Sequence, residues 1–172
     1  MKKSNIVLIG FMGTGKSVIG RKIAKELNMD FLDTDHEIEE LVGMKIRDIF
    51  RCYGEKRFRS EETLVIKRVS LCENTVISCG GGVVLSAENV AALRRCGLMV
   101  ELYADAQVIF ERVKNNRNRP LLKGASVEDI EARYESRRKF YEVADIRIDT
   151  GLQNIEETVK TLKQAVSDLE GR

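Results

Sequence analysis

The run Gly10-Phe11-Met12-Gly13-Thr14-Gly15-Lys16-Ser17 fits G-x-x-x-x-G-K-[ST], the pattern of a loop that holds phosphates. Its glycines let the backbone curl until consecutive N–H groups point inward at an anion. A helix beginning near Lys16 adds the positive end of its dipole. Lys16 is then placed to reach the outer phosphates, and the Ser17 hydroxyl to ligate magnesium. The flanks supply the required context: the apolar run Ile6-Val7-Leu8-Ile9 reads as a strand, and the stretch from Val18 as an amphipathic helix. Together they predict a nucleoside triphosphate site.

Two further constellations accompany the loop. Asp33-Thr34-Asp35 closes a second strand candidate, and ligands of parallel sheets gather at the carboxyl ends of strands. With strand periodicity Asp33 and Asp35 project to the same side, one near magnesium and one beside an acceptor hydroxyl whose proton it takes. An aspartate at Asp35 is also an ordinary helix N-cap. Ser78-Cys79-Gly80-Gly81-Gly82 closes a third strand with no Walker B aspartate, which counts against motor ATPases and switch GTPases and leaves Asp33 for the metal. The glycine triplet permits close approach of a ligand. Arginines at Arg59 and in Arg133–Arg138 suit an anionic substrate, since a guanidinium pairs with a carboxylate; spacing alone does not choose among them.

These residues need elements to hold them. Strands are predicted over Asn5–Ile9, Asp30–Asp33, Thr75–Ser78, Met99–Tyr103 and Ile146–Asp149. Helices are predicted from Val18, and over His36–Val42, Ile46–Cys52, Glu55–Leu71, Ala87–Arg95, Ala106–Lys114, Val127–Val143 and Ile155–Leu169. Ser86, Asp105 and Ser126 read as N-caps and Gly97 as a helix stop. This alternation gives an α/β fold with a parallel sheet covered on both faces. Asn115–Gly124, holding the single proline, reads as a mobile basic loop able to close over phosphates.

Composition narrows the class. The 172 residues, 43% hydrophobic and 33% charged, suit one domain with a core that needs no staples. A net charge of +2 gives no reason to expect a nucleic-acid or membrane-surface partner. No apolar run has membrane-spanning length, and Met1–Asn5 lacks a signal-peptide core. Cys52, Cys72, Cys79 and Cys96 form no Cys-x-x-Cys pair, so idle thiols in a reducing cytoplasm are expected. His36, the single histidine, rules out a histidine metal cluster.

Taken in order, the elements resemble the shikimate kinase family over nearly the whole chain. They are the Gly10–Ser17 loop, Asp33-Thr34-Asp35, Asp48-Ile49-Phe50, Gly54-Glu55, Phe58-Arg59, Gly80–Gly82, Arg119-Pro120-Leu121-Leu122 and Arg137-x-x-x-Tyr141. The resemblance implies transfer of the ATP γ-phosphoryl group to the 3-hydroxyl of shikimate, on the route to chorismate and the aromatic amino acids. It implies a three-layer P-loop kinase fold of the nucleoside monophosphate kinase type, with five parallel strands in order 2-3-1-4-5. Residues 33–61 would form the substrate region and residues 112–124 a lid.

By the same resemblance, Asp35 takes the shikimate hydroxyl proton, with Lys16 and Arg119 also catalytic. Arg59, Arg137 and the turn Gly80, Gly81 and Gly82 hold the substrate, the Gly81 backbone meeting its carboxylate. Nucleotide contacts fall to Gly13, Thr14, Gly15, Lys16, Ser17, Val18, Arg112, Arg119 and Gln153, with Asp149–Asn154 bordering adenine. Ser17 is the direct protein ligand of Mg2+, and Asp33 acts near the ion through water. A monomer is expected. Two departures stand out: Lys139-Phe140-Tyr141 lacks a proline common in the family, and Val18 replaces a common threonine. Arg137 is chosen over Arg138 because it lies four before Tyr141. The alternatives are a kinase for another small hydroxy acid such as gluconate, or a nucleotide switch, though no Asn-Lys-x-Asp signature appears. RNA binding by Arg112–Arg119 and Arg133–Lys139 lacks a stacking motif.

Overall fold

The computed structural model describes residues 5–114 and 126–170. Five strands pair side by side, all parallel, in the order β2-β3-β1-β4-β5. They are β1 (Asn5–Ile9), β2 (Asp30–Asp33), β3 (Thr75–Ser78), β4 (Gly97–Tyr103) and β5 (Ile146–Asp149). Among the described residues, seven α-helices connect and cover them: α1 (Lys16–Leu27), α2 (Thr34–Val42), α3 (Ile46–Val69), α4 (Ala87–Cys96), α5 (Ala106–Val113), α6 (Val127–Tyr141) and α7 (Ile155–Glu170).

The period-two alternation of β1 explains the three layers. Ile6 and Leu8 face one side, where Ile19, Ile23 and Ala24 of α1 and Val159 and Leu162 of α7 cover them. Val7 and Ile9 face the other, packed with Ile38 of α2, Val65 and Ile66 of α3, Leu93 of α4, Ile109 of α5 and Tyr141 of α6. With both faces covered, β1 is buried at every position, as expected of a central parallel strand. The loops after β1, β2 and β3 therefore emerge together at the carboxyl edge.

Several boundaries differ from expectation. The two helices expected on either side of Gly54 form one element, α3, broken only by the Gly54 backbone at φ 76°, ψ 177°. The strand expected from Met99 starts at Gly97, which pairs with Asn5. Gly97 does end α4 as its C-cap, in extended conformation at φ −154°; a Cβ there would lie 2.8 Å from the Asn5 carbonyl oxygen. Ser86 and Ser126 cap as expected, Ser126 in a reciprocal box with Asp129. Asp105 holds the cap position without a capping bond, its carboxylate taking the Tyr103 hydroxyl instead. The second helix begins at Thr34, so Asp35 lies in its first turn and does not continue the strand. The cap is Asp33.

Candidate active site

Gly15, in the left-handed region at φ 95°, turns the chain from loop into α1, whose first turn contains no acidic residue to compete with an anion. The Lys16 ammonium donates to the carbonyls of Gly10 and Phe11, both at 2.8 Å, so its reach over the loop is set by the loop itself. Ser17 donates its hydroxyl to Asp33 Oδ2 at 2.6 Å, and the Ser17 and Ser78 hydroxyl oxygens stand 3.4 Å apart. The other Asp33 oxygen accepts the Asp35 N–H at 3.1 Å, capping α2.

That arrangement explains the missing Walker B aspartate. Asp33 and Ser78 are register partners at the ends of adjacent strands, so the carboxylate comes from β2 where β3 ends in a hydroxyl. A hydroxyl and a carboxylate already in contact are hard oxygen donors of the kind Mg2+ selects, so the residues present fit that ion. Asp35 reaches the same place, but from a helix. Its carboxylate lies over Gly80, where a Cβ would stand 2.5 Å from Oδ1. A cleft of about 130 Å³ is bordered by Lys16, Ser17, Asp33, Asp35, Gly80 and Gly81. Cys79 lies in its wall, and burial pushes the thiol pKa well up, so no thiolate forms there.

The glycine turn is pinned from several sides. Thr34 Oγ1 accepts the Gly80 N–H at 3.0 Å. A Cβ on Gly82 would collide with the Arg59 guanidinium, so the absence of a side chain there lets the cation approach the turn. Tyr141 donates its hydroxyl to the Gly81 carbonyl at 2.7 Å. Arg59 itself is held by a fork to both Glu62 oxygens, at 3.1 and 3.0 Å, and by Glu55 at 3.0 Å. Glu62 is buried, and that burial raises its pKa although Arg59 and Arg137 pull it down. Burial works against the Arg59 charge, yet Glu62 and Glu55 keep its pKa above the ordinary value.

Arg137 is half-buried, and its charge acts on both Glu62 and Tyr141. Arg138 is exposed and pairs with Glu135 at 3.6 Å. The sequence assigns no individual role to Glu62, Thr34 or Tyr141. The spacings Glu55/Arg59 and Arg59/Glu62, four and three apart on one helix, carried a signal for the ion pairs. Thr34 and Tyr141 belong to the patterns Asp33-Thr34-Asp35 and Arg137-x-x-x-Tyr141, which show their presence but not what their hydroxyls bind.

On the other side of the loop, a wider cavity of about 520 Å³ is bordered by Gly13, Thr14, Val18, Arg112, Thr150 and Gln153. Arg112 donates to the Thr150 carbonyl at 2.6 Å and hydroxyl at 3.0 Å, and that hydroxyl lies 3.0 Å from the Thr14 carbonyl oxygen. The loop after β5 is thereby tied to the phosphate loop. Arg119, and all of the expected lid beyond Lys114 up to Gly124, lie outside the described residues.

A parallel sheet with a phosphate loop after its first strand, and a cleft bordered by two aspartates beside that loop, define a P-loop kinase. The shikimate kinase family model matches residues 12–167. A shikimate kinase of Pelotomaculum thermopropionicum is 47% identical over 159 residues, 92% of each chain. The solved shikimate kinase of Acinetobacter baumannii in complex with shikimate superposes with a TM-score of 0.93 at 32% identity, covering 99% of this chain and 97% of that one. A gluconokinase from Sinorhizobium meliloti, 18% identical with a TM-score of 0.63 over 97% and 93% of the two chains, shares the fold alone. The chain belongs to the shikimate kinase family.

Proposed function

We infer that this protein transfers the γ-phosphoryl group of ATP to the 3-hydroxyl of shikimate, giving shikimate 3-phosphate and ADP. The observation that carries this reading is the glycine turn, packed under Asp35 at Gly80 and against Arg59 at Gly82, on the rim of a cleft bordered by Lys16. A base for a hydroxyl and a cation for a carboxylate thus stand on one short turn beside the phosphate loop.

Asp35 aligns the acceptor oxygen and takes its proton as the new O–P bond forms and the bond to the ADP leaving oxygen breaks. Arg59, Arg137 and the Gly81 backbone hold the substrate carboxylate, fixing which hydroxyl meets the phosphate. Lys16 and the N-terminus of α1 offset charge on the transferring group. Ser17 and Asp33 would hold Mg2+, whose bound charge would neutralise phosphate oxygens. Arg112, Gln153 and Val18 border the cavity assigned to adenosine. Among the described residues no helix is long and apolar enough to cross a membrane. The four cysteines are free thiols, which supports a reducing compartment, and we assign a cytoplasmic monomer.

A coupled ADP-release assay offering shikimate and gluconate separately tests the reading. Turnover with shikimate and none with gluconate is expected; the reverse result would reassign the acceptor.

A further inference from the structure

Among the described residues Tyr141 is the largest fully buried side chain, 1% exposed. Its hydroxyl reaches across sixty residues of sequence to the Gly81 carbonyl at 2.7 Å. Burial raises the phenol pKa, with the Arg137 charge beside it opposing, so the group is a neutral donor. Arg137 and Tyr141 stand four apart on α6 and therefore share one face of the helix. The ring has little freedom. It stacks on Tyr134 with centroids 6.1 Å apart and planes 11° from parallel. Tyr134 is in turn held by Glu101 of β4 at 3.4 Å and Arg147 of β5 at 3.2 Å.

We propose that Tyr141 is a positioning residue for the carboxylate end of the acceptor site. Its hydroxyl ties the Gly80–Gly82 turn to the last turn of α6, and so fixes the separation between the Gly81 backbone and the Arg137 guanidinium. One carboxylate can be bound by both only if that separation is held, and the Tyr141 hydroxyl adds a directed bond across it to the packing of α6 against the short turn Val83–Leu85. The inference rests on the reading of Gly81 and Arg137 as carboxylate ligands given above.

Titrating shikimate and its uncharged methyl ester into the wild-type protein, Tyr141→Phe, Tyr134→Phe and Arg137→Ala separates the two. Tyr141→Phe keeps the ring and the packing; it should weaken the acid by about tenfold, the loss of one hydrogen bond in a charge-binding arrangement, and leave the ester nearly unchanged. Tyr134→Phe removes a buried phenol hydroxyl from the same helix and should keep the wild-type acid-to-ester ratio. A ratio unchanged in Tyr141→Phe but collapsed in Arg137→Ala overturns the Tyr141 role alone, as does equal weakening of acid and ester. A wild-type protein that does not distinguish acid from ester, or an Arg137→Ala variant that keeps the distinction, overturns the carboxylate reading and the Tyr141 role with it.

Discussion

The two halves of the site are built by different means. The nucleotide half is local: Gly10 to Ser17 is one loop and one helix start, and its Lys16 is oriented by the carbonyls of Gly10 and Phe11 within the same loop. The acceptor half, as proposed, is assembled: Asp35 comes from α2, Arg59 from α3, the glycine turn follows β3, and Arg137 and Tyr141 come from α6. Where backbone does the binding, a short run of sequence suffices. Where side chains must meet around a small rigid acid, the sheet and its covering helices have to bring them together, and buried partners such as Glu62 must hold them still.

The comparison breaks first at Asp35. Asp35→Asn retains size and polarity but cannot accept a proton, so kcat should fall by about 10²–10⁴ with an unchanged melting temperature. Near-normal turnover in a steady-state assay would remove Asp35 from the proton-accepting role. Arg59→Ala comes next. It leaves Glu62 buried without its fork and removes a carboxylate partner, and should weaken shikimate binding by about 2–5 kcal/mol while the KM for ATP changes little. An unaltered shikimate KM would show that the assembled half does not depend on this cation.

On the nucleotide side, Thr150→Val deletes the hydroxyl that Arg112 and the Thr14 carbonyl share. The KM for ATP should rise by about fivefold, near the net worth of one hydrogen bond, with the KM for shikimate unaffected. A rise in the shikimate KM instead would mean that the halves are not separable at this point. The smallest effect concerns Glu101, buried between Tyr134 and Arg147, whose pKa burial raises above 4.5. The folded protein holds that proton more tightly than the unfolded chain, so this group makes stability fall as pH rises from about 4.5 through the higher folded value. Glu101→Gln should flatten that part of the profile in urea titrations across mildly acidic pH. Parallel profiles for the two proteins would reject the assignment.

Reading the chain by pattern worked where the physics is local. The strands at Asn5–Ile9, Asp30–Asp33, Thr75–Ser78 and Ile146–Asp149 have the expected bounds, because short β-rich apolar runs set off by turn residues leave the backbone few alternatives. The pattern was incomplete at Gly97, which ends α4 as expected and also begins β4, where the missing side chain allows close approach to Asn5 on the neighbouring strand. It also gave Asp33 and Asp35 a shared side through strand alternation. They do border one cleft, but because Asp33 caps the helix that carries Asp35.

The sequence alone determined the phosphate loop, the order of strands and helices, the family, and the residue types available for chemistry, since each is encoded in neighbours along the chain. Only the tertiary structure decided that Ser78 meets Asp33 in place of a Walker B carboxylate, that Arg137 faces Glu62 and Tyr141 while Arg138 turns to solvent, and that Tyr141 holds the glycine turn. Those contacts join residues tens of positions apart, and their geometry is set by packing across the sheet, which no short window of sequence contains.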